Sequence, residues 1–266
     1  MVQAIIVMGG LGVLFGVFLT YFHIKFRVEE NPLIKSLHLL LPNANCGACG
    51  YPGCSAFAEA LLEKKVSPEK CSGISSENLS KICRILGIEE KTKVKMVARV
   101  FCSGGNNATR KFEYNTLKDC RSLNILFDTN LNCTYGCIGF GSCEKKCPLG
   151  AIKMMNNLPE IDEEKCTGCG ICVEVCPKKI IRLVPYNKKV YIRCCSHDKG
   201  SVVIKICKTG CIGCGKCVKV CPRNAISLQE NLAIIDYEKC DNCGKCIEEC
   251  PRKVIFSIPL KKLSLA

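Results

Sequence analysis

The chain of 266 residues contains no Trp, and aromatic residues make up only 6% of it. A large aromatic core is therefore not expected. Small domains can fold without one where metal–ligand bonds replace apolar burial. Histidine is scarce too: His23, His38 and His197 are the only three, and no two are placed as a metal-binding pair. No Gly-rich phosphate loop follows a strand pattern. Gly10-x-Gly12 lies inside an apolar run, which excludes a dinucleotide fingerprint. No Ser/His/Asp or Cys/His constellation stands out. The chain thus lacks a visible hydride-transfer or group-transfer site.

Charge is missing from residues 1–24, which hold no Asp, Glu, Lys or Arg. The run Val2 to Ile24 is long enough to cross a bilayer as a helix. Lys25 and Arg27 follow it, and Pro32 closes the segment. Basic residues after the run, with none before, place the C-terminal bulk in the cytoplasm by the positive-inside rule. A cleaved signal peptide is the rival, but it wants a basic n-region and a small-residue cleavage site. Gly12 and Gly16 form a GxxxG pair, read either as a helix-packing face or as ordinary membrane-helix glycine.

Cysteine is what the chain has in excess, with 26. Most sit two or three residues apart in tight groups. Such neighbours ligate metal more readily than they form a disulfide framework. The first group runs Leu41-Pro-Asn-Ala-Asn-Cys46-Gly-Ala-Cys49-Gly-Tyr-Pro-Gly-Cys54, with Cys71 further on. Gly47, Gly50 and Gly53 let the backbone fold back and aim N–H groups at sulfur. A helix is expected from Ser55 to Lys65. Four cysteines also suit zinc, although zinc usually takes two separated pairs.

The rest of the chain repeats. A shift of 74 residues carries Cys120, Cys133, Cys137, Cys143 and Cys147 onto Cys194, Cys207, Cys211, Cys217 and Cys221. It also carries Cys166, Cys169, Cys172 and Cys176 onto Cys240, Cys243, Cys246 and Cys250. The one defect is Phe140, which stands opposite Cys214. The runs that begin at Cys166, Cys211 and Cys240 have C-x2-C-x2-C-x3-C-P spacing, the bacterial ferredoxin signature. Three cysteines of such a run hold one 4Fe–4S cluster, and the fourth crosses to the other. The expected ligand sets are Cys211, Cys214, Cys217 with Cys250; Cys240, Cys243, Cys246 with Cys221; and Cys166, Cys169, Cys172 with Cys147. The remaining site has Cys137, Cys143 and Cys176, with Cys133 expected as its fourth ligand and a three-iron cluster as the alternative. Ala151–Ile161 and Ala225–Ile235 read as short hairpins.

Five clusters use twenty cysteines. Cys83, Cys102, Cys120, Cys194, Cys195 and Cys207 are left over. Cys83 is expected as a small core residue in a helix. The others either ligate a further cluster or pack as remnants of the duplication. The formal charge of +14 counts thiolates as neutral. Each cluster with its thiolates nets roughly −2, so five bring the chain to about +4. That weakens a nucleic-acid reading and suits an acidic redox partner.

The fold expected is α+β: a single N-terminal transmembrane helix, a small helical Fe–S domain, then two tandem bacterial-type two-cluster ferredoxin units. The boundaries are 1–26 for the anchor, 31–88 for the helical domain and 89–132 for a connecting segment. The first ferredoxin unit takes 133–190 and the second 191–266.

With its Gly9-Gly10-Leu-Gly12 anchor, the loop NCGACGYPGC (45–54), CTYGCIGFGSCEKKCP (133–148), CKTGCIGCGKCVKVCP (207–222) and CDNCGKCIEECP (240–251), the chain resembles the polyferredoxin (B) subunit of the Rnf complexes. These are ion-translocating ferredoxin:NAD oxidoreductases of bacterial membranes. The resemblance implies a membrane-bound translocase component with no catalytic site beyond electron transfer. It implies soluble ferredoxin as electron donor, and flavin and Fe–S subunits as partners. The alternative is a polyferredoxin component of another membrane redox complex, a hydrogenase or a reductase of a redox regulator.

Overall fold

The computed structural model describes residues 2–26, 31–89, 94–114, 116 and 118–258. Arg27, used above for orientation, lies outside the described residues. Helix α1 (Val2–Lys25) carries its apolar side chains outward, with Leu14, Phe15, Leu19 and Ile24 all more than half exposed. Within the described residues it is the one helix long and apolar enough to cross a membrane.

Three helices follow: α2 (Pro32–Leu40), α3 (Cys54–Leu62) and α4 (Ser76–Leu86). Two of them have a clear local reason to start where they do. Asn31 caps α2 by accepting the Leu33 N–H, with Pro32 in the first turn. Ser75 caps α4 by accepting the Asn78 N–H, and Gly87 ends it in the left-handed region. Leu37, Phe57, Leu61 and Ile82 fill the space between the three helices. Cys83 is buried in α4, as expected of a small core side chain.

Two similar units complete the chain. In the first, strand β1 (Met96–Val100) is followed by α5 (Cys120–Phe127) and α6 (Ser142–Lys145). The hairpin β2 (Ile152–Met155) and β3 (Leu158–Ile161) comes next, then α7 (Ile171–Val175) and β4 (Ile181–Pro185). In the second, β5 (Val190–Ile192) and α8 (Gly200–Ile206) precede α9 (Lys216–Val220). Hairpin β6 (Ile226–Gln229) and β7 (Leu232–Ile235), α10 (Lys245–Glu248) and β8 (Ile255–Ser257) close it. Both expected hairpins are present, antiparallel and closed by two residues at positive φ, Asn156-Asn157 and Glu230-Asn231.

Each unit is closed by its own first and last strands, β1 with β4 and β5 with β8. Val100 faces Ile181 and Ile192 faces Ile255, while the Phe101 and Arg193 N–H groups donate to the carbonyls of Ile180 and Val254. The cross-strand cation–π pair is kept with its partners exchanged: Arg182 lies over Phe101, and Arg193 over Phe256. Phe101 is thus the structural counterpart of Arg193, and Cys102 that of Cys194. The constant shift of 74 holds from Cys133 onward and fails before it. Cys133 lies 33 positions after Val100, but Cys207 only 15 after Ile192, so the first unit carries 18 additional residues here.

Strand β1, which lies within the segment 89–132, pairs with β4 of the first unit. The first strand of the second unit begins at Val190.

Candidate metal centres

None of the 26 cysteines is disulfide-bonded, and most thiols lie at the loops between these short elements. Two small cavities of near-identical size show the grouping. One is lined by Cys211, Cys214, Cys217 and Cys250. That is the set expected from the crossing rule. Its counterpart in the first unit is lined by Cys137, Cys143, Cys176 and Cys120.

Cys133 does not line the Cys137 cavity. The structure places it elsewhere, and Cys120 takes the position expected for it. The reason is the extra segment of the first unit. It supplies Tyr114, whose ring lies 6.1 Å from that of Phe140, so the residue opposite Cys214 packs against an aromatic neighbour. The same segment delivers Cys120 on the first turn of α5. Asp119 caps that helix, accepting from the Ser122 N–H and from the Ser142 hydroxyl, and the Ser142 oxygen in turn accepts the Cys120 N–H. These bonds hold the Asp119 carboxyl below its ordinary range.

Cysteines also neighbour one another at the other groups. Cys172 has Cys166, Cys169 and Cys147 as neighbouring sulfurs, and burial pushes its thiol up to about 12. Cys246 has Cys240 and Cys243 beside it and is pushed up to about 11 by burial. In the helical domain, Cys71 is raised chiefly by burial, with Cys49, Cys46 and Cys54 around it. Backbone N–H groups point at sulfur in several places: Ala98 to Cys166 at 3.4 Å and Ala225 to Cys221 at 3.3 Å. Such bonds stabilise thiolate charge and tune metal clusters.

Close backbone approach explains the loop glycines. At Gly168 (φ +69°) a Cβ would lie 2.5 Å from the Met96 carbonyl oxygen. Asn242 occupies the matching position of the second unit at φ +65°. Its side chain secures that place by accepting from the Lys189 and Val190 N–H groups, 2.8 and 3.3 Å away.

The donor set fits iron–sulfur clusters better than single ions. It is all thiol, it is arranged around cavities, and backbone donors face the sulfurs. Among the described residues, no three His, Cys, Asp or Glu side chains converge as ligands of one metal ion, whereas zinc needs four donors about 2.3 Å from one point.

Comparison with known proteins agrees. A family model for an Fe-S cluster domain matches residues 41–72. The 4Fe-4S binding domain matches 159–182, and the 4Fe-4S dicluster domain matches 210–254. The chain is 41% identical to the B subunit of the Na(+)-translocating ferredoxin:NAD(+) oxidoreductase complex of Acetobacterium woodii, covering 88% of this chain and 71% of the relative. It is 40% identical to the B subunit of the ion-translocating oxidoreductase complex of Methanosarcina acetivorans, covering 90% and 92%. With the proton-translocating counterpart of Clostridium ljungdahlii it shares 39% identity over 90% and 85%. Identity at this level along nine tenths of the chain, with iron–sulfur domains at the cysteine groups, makes the chain a member of the B-subunit family of the ion-translocating ferredoxin:NAD oxidoreductases, the Rnf complexes.

Proposed function

We propose that the chain carries electrons into an Rnf-type translocase, accepting them one at a time from reduced ferredoxin at the cytoplasmic face. Helix α1 holds it to the membrane as a single span, with the cysteine-rich units on the cytoplasmic side. The flavin and Fe–S subunits of the complex receive the electrons. Relatives named as ferredoxin:NAD oxidoreductases favour this over a hydrogenase or a regulator reductase.

The observation that carries the reading is the succession of thiol groups. Cys46 of the helical domain lies near enough to Cys169 of the first unit to act on its thiol electrostatically. Cys172 has Cys143, and Cys246 has Cys217. Gly73 lies against Thr167, so the helical domain touches the first unit beside Cys166.

Five ligand sets are assigned: Cys46, Cys49, Cys54, Cys71; Cys147, Cys166, Cys169, Cys172; Cys120, Cys137, Cys143, Cys176; Cys211, Cys214, Cys217, Cys250; and Cys221, Cys240, Cys243, Cys246. When bound, each 4Fe–4S cluster supplies a one-electron site whose potential follows burial and hydrogen bonds to sulfur. The chain's own part is to bury the thiols, space the groups and donate N–H bonds to sulfur. Anaerobically purified protein is expected to hold at least about 20 iron and as much acid-labile sulfide, with electron paramagnetic resonance showing interacting clusters. A content near eight of each would overturn the reading.

A further inference from the structure

Five cysteines outside those sets come together at one place. Cys102, Cys133, Cys194, Cys195 and Cys207 line a small cavity between the two units. Its size matches the two cavities assigned above to clusters. We propose that Cys102, Cys133, Cys194 and Cys207 hold a sixth 4Fe–4S cluster that joins the two ferredoxin units. The proposal rests on the five-cluster reading and extends it.

Local pseudo-symmetry selects four of the five. Cys102 and Cys194 are counterparts by strand register, and Cys133 and Cys207 by the shift of 74. Their surroundings match pair by pair. The Cys102 sulfur faces the N–H groups of Gly104 and Cys137, and the Cys194 sulfur those of Ser196 and Cys211. Each member of these donor pairs has its counterpart in the other unit. Cys133 faces the Tyr135 N–H, while Cys207 lies 3.8 Å from the Thr209 hydroxyl, and Tyr135 and Thr209 again correspond.

Cys195 is different in kind. Its counterpart is Ser103, and the two make the same bond. The Cys195 thiol donates to the Tyr135 carbonyl at 3.3 Å, and the Ser103 hydroxyl donates to the Thr209 carbonyl at 3.1 Å. A side chain that donates its proton where a serine does the same is a structural thiol, not a thiolate ligand.

The position gives the site its role. Cys137 and Cys211, whose N–H groups face Cys102 and Cys194, are themselves assigned as ligands of the adjoining cluster in each unit. A single backbone N–H facing sulfur therefore lies between the site and the nearest centre on either side. Arg193 adds a compensating charge: it lines the cavity, and among the described residues its Nε is buried without a hydrogen-bond partner. A cluster with four thiolates, at roughly −2, would meet that guanidinium.

The test uses the full chain, purified without oxygen in detergent. Wild type is expected to hold about 24 iron and 24 sulfide and to take up about six electrons from titanium(III) citrate. Cys102→Ala, Cys194→Ala and Cys207→Ala should each lose about four iron and one electron, and about one sixth of the Mössbauer area. Three variants on separate segments guard against one that merely misfolds. Cys195→Ser should keep the full content. A wild-type content near 20, matched by all three alanine variants, would overturn the sixth cluster and leave the other five standing. A content near eight would remove both readings. Loss of four iron in Cys195→Ser would refute this ligand set.

Discussion

Cys120 and Cys83 are both buried or half-buried thiols on helices, yet their surroundings give them different duties. Cys120 opens α5 beside Cys137, Cys143 and Cys176, whereas Cys83 is buried on α4, a helix whose apolar side chains Ile82 and Leu86 belong to the core of the helical domain. Cys120→Ala is expected to disturb one cluster, seen as lost iron or as a new three-iron resonance signal. Cys83→Ala should leave iron unchanged and cost only about 1 kcal/mol in stability, measured by denaturant unfolding. Asp119 offers a second test. Replacing it with Ala removes the α5 cap at a cost of about 1 kcal/mol and loosens Ser142, so the Cys120 site should lose iron faster to a chelator. The carboxyl sits below its ordinary pKa when folded. Its stabilisation is therefore present at neutral pH and is lost only as pH falls through the ordinary carboxylate range towards the folded value.

Strands β1 and β5 do more than close their own units. Arg99 on β1, Glu163 after β3 and Lys189 just before β5 form a buried charged triad. Glu163 lies 2.7 Å from the Arg99 Nε and 2.9 Å from the Lys189 Nζ. The three side chains are 1%, 9% and 6% exposed, in the order Arg99, Glu163, Lys189. Arg99 also donates to the Lys188 carbonyl. The triad ties the first unit to the start of the second, so it helps to hold the cavity between them. Removing the carboxylate strands two buried cations. Glu163→Ala is expected to cost about 3–5 kcal/mol, against a small effect for Glu77→Ala, which breaks an exposed pair on α4. Thermal unfolding of the two variants side by side would check this, and equal melting temperatures would refute the buried-triad account.

For the molecule as a whole, the arrangement is a long apolar N-terminal helix followed by three cysteine-rich units. Helix α1 has its apolar surface turned outward, and among the described residues nothing packs within 4 Å of a side chain built at Gly9, Gly10, Gly12 or Gly16. A helix of that kind gains by lying in lipid or against another apolar helix. Removing residues 1–26 is expected to release a brown, cluster-bearing protein from carbonate-washed membranes, while the full chain stays in the pellet. If the shortened chain remained membrane-bound, another surface would have to be the anchor.

Much of this was legible in the residues alone. The spacing of Cys166, Cys169, Cys172 and Cys176, and of the two later runs, is a local property. Short loops with Gly or Asn at positive φ leave few ways for four close thiols to point. The hairpins declare themselves by two-residue turns, and the anchor by its missing charge, because both are decided within a few residues of chain. Cys120, Cys133, Cys102 and Cys194 were another matter. An ungapped count sets Cys120 against Cys194, but strand register sets Cys102 there, because 18 extra residues in the first unit have no length signal of their own. Which thiols meet is decided by how β1 pairs with β4 and β5 with β8, and by how the two units pack. Those contacts join residues far apart in the chain, and their free energy belongs to burial across the assembled units rather than to any single stretch of sequence.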